Sequence, residues 1–153
     1  MDDRWWLGGL LGGVIGAVGF GALTVLLDPE FLEATVPGLY GVDPATSTGV
    51  ALHLVHGAVL GLVFAAVLGS DAFGGIVGDE PVLGDTTATV RAGLAGLAYG
   101  VTIWALLPVV VVPLWAAGTG IEAEVPTLAL ESLLGHVVYG LLLGATYAAV
   151  TDR

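Results

Sequence analysis

His53 to Val67 reads HLVHGAVLGLVFAAV, and His136 to Val150 reads HVVYGLLLGATYAAV. The two stretches align without a gap and are identical at eight of fifteen positions, including His53/His136, Gly57/Gly140 and Gly61/Gly144. Small apolar residues inflate such matches. The shared His does not come from composition, because the chain has only three. Neither stretch has a polar face of the kind a helix on the surface of a soluble bundle needs.

Outward from these two stretches, the chain holds four apolar segments, at about 5–27, 49–69, 90–116 and 127–150. Each is near or above the ~20 residues that cross a ~30 Å hydrocarbon core. None has an acid or base in its middle. Of the 153 residues, 56% are hydrophobic and 11% charged, against about 25% charged in a soluble domain. A short soluble chain leaves too much surface exposed to hide so much apolar area. The expected fold is therefore all-α integral membrane, with four transmembrane helices in a single membrane domain, 1–153. The first span is too long for the apolar part of a signal peptide. It also lacks a small-residue cleavage site before Asp28, so it is expected to be retained.

The first and third spans align more weakly. Gly9, Leu10, Gly12, Gly16 and Leu23 match Gly93, Leu94, Gly96, Gly100 and Leu107, with Phe20 on Trp104 and Pro29 on Pro113. The chain then reads as a tandem duplicated helical hairpin, repeat one at 5–69 and repeat two at 90–150. An acidic, Gly-rich loop, 70–89, joins them. Two spans per copy give both copies the same orientation, with the pseudo-twofold axis along the membrane normal. Every span carries a GxxxG: Gly12/Gly16, Gly57/Gly61, Gly96/Gly100 and Gly140/Gly144. Tight helix packing is the plain reading of these glycines. Room for a flat ligand or a homo-oligomer face is the sharper one.

Fourteen acids face three bases, Arg4, Arg91 and Arg153, with no Lys, for a net charge of −11. That balance argues against nucleic acid or anionic headgroups as partners. It suits a halophilic source, where salt screens the acids within a few ångströms. With four spans, all three Arg fall on one side, which the positive-inside rule makes cytoplasmic. The N- and C-termini of this multi-pass cell-membrane protein are then both inside. Trp5, Trp6 and Trp115 fall at span ends, where aromatic belts form. Asp28 to Ser47, with three prolines, reads as a structured turn region or a short re-entrant piece. Ala117 to Pro126 reads as a short loop bearing Glu122 and Glu124.

Candidate ligand or path residues cluster in the outer half. His53 and His136 lie at equivalent places, ~6–14 Å below the outer span ends at 1.5 Å per residue. His56 and Tyr139 follow at i+3, on the same helical face. Intramembrane ionisable residues are costly and point to function. Interhelical hydrogen bonding by two neutral imidazoles is the competing structural reading. A bis-His haem b between His53 and His136 is one functional reading. A proton or solute path past His53, His56, Tyr139 and Tyr99 is another. A three-His metal site would lack a carboxylate or Cys partner, and no metal is expected. Glu131 suits the positive end of the fourth helix, and Pro108 is expected to kink the third. The chain has no Cys, which excludes thiol catalysis and disulfides. No catalytic residues are assigned.

Tyr99-Gly100, Trp104, Pro113 and His53, together with the run Leu134-Gly135-His136-x2-Tyr139-Gly140-x3-Gly144-x2-Tyr147, give a pattern that resembles a group of small four-helix membrane proteins. These occur in haloarchaea and some other archaea and bacteria. The resemblance covers most of the chain, and GHxxYGxxxGxxY is its most specific part. It implies the fold and the membrane location, and no activity. A histidine kinase, a label some members carry, would need a nucleotide-binding domain that this chain lacks. The functional expectation is a non-enzymatic membrane module, structural or accessory, with the bilayer and a homo-oligomer or membrane complex as partners. A small transporter or channel and a haem-binding electron carrier are the alternatives.

Overall fold

The computed structural model describes residues 4–70, 73, 87–118 and 130–151. All regular structure among them is helical. Helix α1 spans Trp5–Leu27 and α2 spans Thr46–Leu68. Helix α3 spans Ala88–Gly118, and α4 spans Leu130–Thr151. All four are long and apolar enough to cross a membrane. Most of the loop 70–89, the acids Glu122 and Glu124, and Arg153 lie outside the described residues. So does the side chain of Glu131.

The helices pack in the order α2, α1, α4, α3. Helix α1 lies along both α2 and α4, and α3 lies along α4. Glycine sets these contacts. On one face of α1, Gly9 and Gly13 meet the Gly57 and Gly61 backbone of α2, where an added Cβ would overlap a carbonyl oxygen. On another face, Gly8, Gly12, Gly16 and Gly19 receive Tyr147, Leu143, Tyr139 and Leu142 of α4. Between α3 and α4, Gly96 and Gly100 meet Gly140 and the His136 carbonyl, and Gly144 meets the Ala92 carbonyl. Backbones this close exchange dispersion and Cα–H···O contacts that any side chain would abolish.

By their contacts, α1 and α3 correspond in a different register from the one in which their sequences match. Gly13 faces the Gly57 carbonyl as Gly96 faces the Gly140 carbonyl, and Gly9 stands to Gly61 as Ala92 stands to Gly144. The equivalence is thus Gly13 to Gly96 and Ala17 to Gly100. That is one residue away from the match of Gly12 and Gly16 to Gly96 and Gly100. Gly93, aligned with Gly9 on sequence alone, faces open space. Runs such as Gly8-Gly9 and Gly12-Gly13 offer two registers of similar score, and only the packed partner distinguishes them. In the register of the contacts one spacing of 83 residues relates both helices of each hairpin, as in Gly13 to Gly96 and Gly57 to Gly140.

The segment between α1 and α2 is ordered as a structured turn. A π-helical turn, Phe31–Thr35, leads into a single α-turn, Val36–Gly38. Leu32, Val36 and Pro37 are buried, and the Leu32 carbonyl rests against Gly49 at the start of α2. Gly41 has φ 64, a left-handed conformation that glycine adopts without a Cβ clash. In α3 the helix continues past Pro108 through a second π-helical turn, Leu107–Val111. The wider turn accommodates the ring and the missing N–H, so the helix runs on to Gly118.

Gly61→Ala is expected to destabilise the bundle by about 1–3 kcal/mol, the usual cost of overpacking. Gly93→Ala should be neutral or slightly stabilising, since alanine is the better helix former. Unfolding midpoints of the two variants in the same detergent check the register.

Candidate functional site

Equivalent faces of α1 and α3 are not equally smooth, and the site follows from that. Where α1 presents Gly8, Gly12, Gly16 and Gly19 to α4, the corresponding residues of α3 are Arg91, Ala95, Tyr99 and Thr102. Side chains now stand between α3 and α2. The Tyr99 hydroxyl donates to the Leu60 carbonyl at 2.7 Å, and its ring packs on Phe64, with centroids 5.2 Å apart. Towards the chain termini, Phe64, Ala65, Leu143 and Tyr147 fill the bundle as its buried core. Towards the opposite end, which we call the upper end, the gap widens into a cavity of about 940 Å³.

Its walls come from every part of the upper half. Phe20 and Leu23 of α1 contribute, as do Phe31 and Leu39 of the turn segment, Val55 and Val59 of α2, and Leu107, Pro108 and Val112 of α3. The π-helical turn of α3 therefore forms part of the wall. The polar lining is His53, His56, Ser132, His136 and Tyr139, together with Thr24, Asp28, Thr35 and Tyr40. A few polar groups set in an apolar wall is the usual make-up of a small-molecule site, and the volume is at the upper end of the usual ~300–1,000 Å³. Val55 and Val59 are exposed on the outer face of α2, so the cavity is a cleft that opens sideways between α2 and α3.

His53 and His136 are brought together, with one ring between them. Phe20 lies edge-on to both imidazoles, its centroid 5.0 Å from His53 and 4.8 Å from His136. Gly135 makes room for it, since a Cβ there would collide with the Phe20 ring. Phe31 stacks on Phe20 at 5.8 Å and meets the His53 ring edge to face at 6.0 Å. His53 Nε2 donates to the Ala17 carbonyl at 3.0 Å. His136 Nδ1 donates to the Ser132 carbonyl one helical turn back, at 2.7 Å. A planar macrocycle bridging the two imidazoles would have to displace Phe20, and iron at His53 Nε2 would break the bond to Ala17. The Phe20 ring seated against both imidazoles is what stands against a bis-His haem at this place.

His56 and Tyr139, corresponding residues on α2 and α4, do different things. The Tyr139 hydroxyl is buried and donates to the Gly57 carbonyl at 2.8 Å, tying α4 to α2. His56 Nε2 is hydrogen-bonded to the Tyr40 hydroxyl, and the two rings stack 5.6 Å apart. The four candidate residues all line one cleft, but only His53 and His136 share a ring neighbour. Among the described residues no group of three metal-ligating side chains occurs. Phe20, Phe31, Tyr40 and Ser132 also line the cleft and are not among the sequence candidates for the site. Three are aromatic residues with no polar periodicity to betray them. Ser132 had a readable cue, its i−4 spacing from His136. In comparisons with protein families, curated proteins and solved structures, nothing matches the chain.

Tyr139→Phe removes the tie to Gly57 without leaving an orphan acceptor, because that carbonyl also serves its own helix. The expected cost is about 0.5–1.5 kcal/mol. His56→Phe should cost less, since its partner Tyr40 is exposed. Unfolding free energies in mixed micelles test the order.

Proposed function

We propose that the chain is a non-enzymatic integral membrane module that holds an amphipathic small molecule in the cleft between α2 and α3. The observation that carries this reading is the cleft itself: an apolar chamber with imidazole, hydroxyl and phenol groups in its lining. Four helices long and apolar enough to cross a membrane support it. Their outward faces are apolar along the whole length, with Val18, Leu26, Val55, Leu94, Leu106 and Leu130 all exposed. Water would penalise such a surface, and lipid would not.

In this reading Arg4 and Arg91 mark the cytoplasmic end, and the cleft lies in the outer leaflet. The two hairpins are copies of one ancestral unit, related by the 83-residue spacing, and the cleft exists because the copies diverged. A continuous conduit is the weaker reading, because Phe64, Leu143 and Tyr147 close the half towards the termini. A molecule dissolved in the bilayer would reach the cleft sideways, with its head against the imidazoles and its tail between α2 and α3.

Val59→Trp places an indole in the mouth of the cleft from an exposed position, so the fold should survive. Native mass spectrometry of the chain released from lipid nanodiscs should show a bound amphiphile on the wild type and none on the variant, at equal melting temperature. An identical load on both, or none on either, would count against the reading. Gly118→Cys should react with an impermeant maleimide on intact cells, and Trp6→Cys should not.

A further inference from the structure

Resting on the reading of the cleft as a ligand site, we infer that its ligand carries a head group that donates hydrogen bonds. The head is a pair of hydroxyls on a ring or short polyol, rather than a quinone or other carbonyl-only head. The argument is about which imidazole nitrogens hold protons. A backbone carbonyl oxygen can only accept a hydrogen bond. His53 Nε2, 3.0 Å from the Ala17 carbonyl, must therefore carry a proton. His136 Nδ1, 2.7 Å from the Ser132 carbonyl, must carry one too. The Ser132 hydroxyl, 3.4 Å from the same nitrogen, is a second acceptor within reach of that N–H.

A neutral imidazole has one N–H and one lone pair, and fixing the first locates the second. The lone pairs are then on His53 Nδ1 and His136 Nε2. Neither nitrogen has a hydrogen-bond partner among the described residues, and no buried side-chain nitrogen or oxygen among them is left unpartnered. Both rings line the cavity. The two free nitrogens are thus reachable from it, and both are acceptors. Tyr139 and Tyr99 cannot supply the complementary donors, because their hydroxyls are spent on the Gly57 and Leu60 carbonyls.

A carbonyl head would bring its own lone pairs against two more. A head with two hydroxyl donors gives each ring a partner, and the apolar wall of the cleft suits a compact carbon frame. The same chemistry could come from an aromatic diol or from a glycerol-type head, and the test separates them.

Four probes share a ten-carbon tail: 5-decylresorcinol, its dimethyl ether, 2-decyl-1,4-benzoquinone and 1-O-decylglycerol. Binding to the full chain in nanodiscs is read by calorimetry. The resorcinol is expected to bind on the order of tenfold or more tighter than its ether and the quinone, the worth of two hydrogen bonds. Tight binding of decylglycerol as well would assign the site to polyol heads. Weak binding would assign it to aromatic diols, and either result supports the inference. Equal affinities for diol, ether and quinone would overturn it while leaving the cleft as a ligand site. No binding by any of the four would overturn both. Imidazole ¹⁵N shifts give a check independent of any ligand. His53 should be the Nε2–H tautomer and His136 the Nδ1–H tautomer, and the opposite tautomer at either ring would overturn the inference.

Discussion

The bundle depends on a close backbone approach that only glycine permits. Helix α1 is held between two neighbours, with Gly9 and Gly13 against α2 and Gly8, Gly12, Gly16 and Gly19 against α4. In the proposed bilayer setting no hydrophobic effect draws helices together, so packing density and weak backbone contacts must do it. With glycine on two faces, α1 brings α2 and α4 near enough for Tyr139 to bond across to Gly57. His53 and His136 then come to the same ring of Phe20.

The cleft is the complement of that constraint. A faithful twofold arrangement would press α3 onto α2 as α1 is pressed onto α4. Tyr99, standing where α1 has Gly16, prevents it, and its hydroxyl fastens the wedge to the Leu60 carbonyl. The corresponding contact in the tight interface is Gly16 under Tyr139. Tyr99 is one of four positions, with Arg91, Ala95 and Thr102, at which α3 has a side chain where α1 has glycine. The π-helical turn at Leu107–Val111 and the turn segment with Phe31 then shape the opened space.

Much of this was legible in the sequence and some was not. The four helices were, because uninterrupted apolar runs of that length have few alternatives. That His53 and His136 hold corresponding places was also legible, since two of three histidines recur at matching positions. The register between α1 and α3 was not. Adjacent glycines leave it ambiguous by one residue, and a one-residue shift turns a helix by about 100° to present a different face. The loss of symmetry was hidden for the same reason, because seeing Tyr99 as the counterpart of Gly16 requires the correct register. Pro108 announced a break in regular α-geometry, but whether it would bend the helix or widen a turn depends on neighbours the sequence does not show.

The chain contains no cysteine, so cross-linking can be read without background. Gly19 on α1 faces Leu142 on α4, and the corresponding residues of the open pair are Thr102 and Val59. A disulfide requires Cα atoms within about 7 Å. In membranes, Gly19→Cys with Leu142→Cys should oxidise to a disulfide readily. Val59→Cys with Thr102→Cys should resist oxidation and join only through a longer bismaleimide. Equally fast disulfide formation in both pairs would mean that α2 and α3 are closed as tightly as α1 and α4, and that the cleft does not exist.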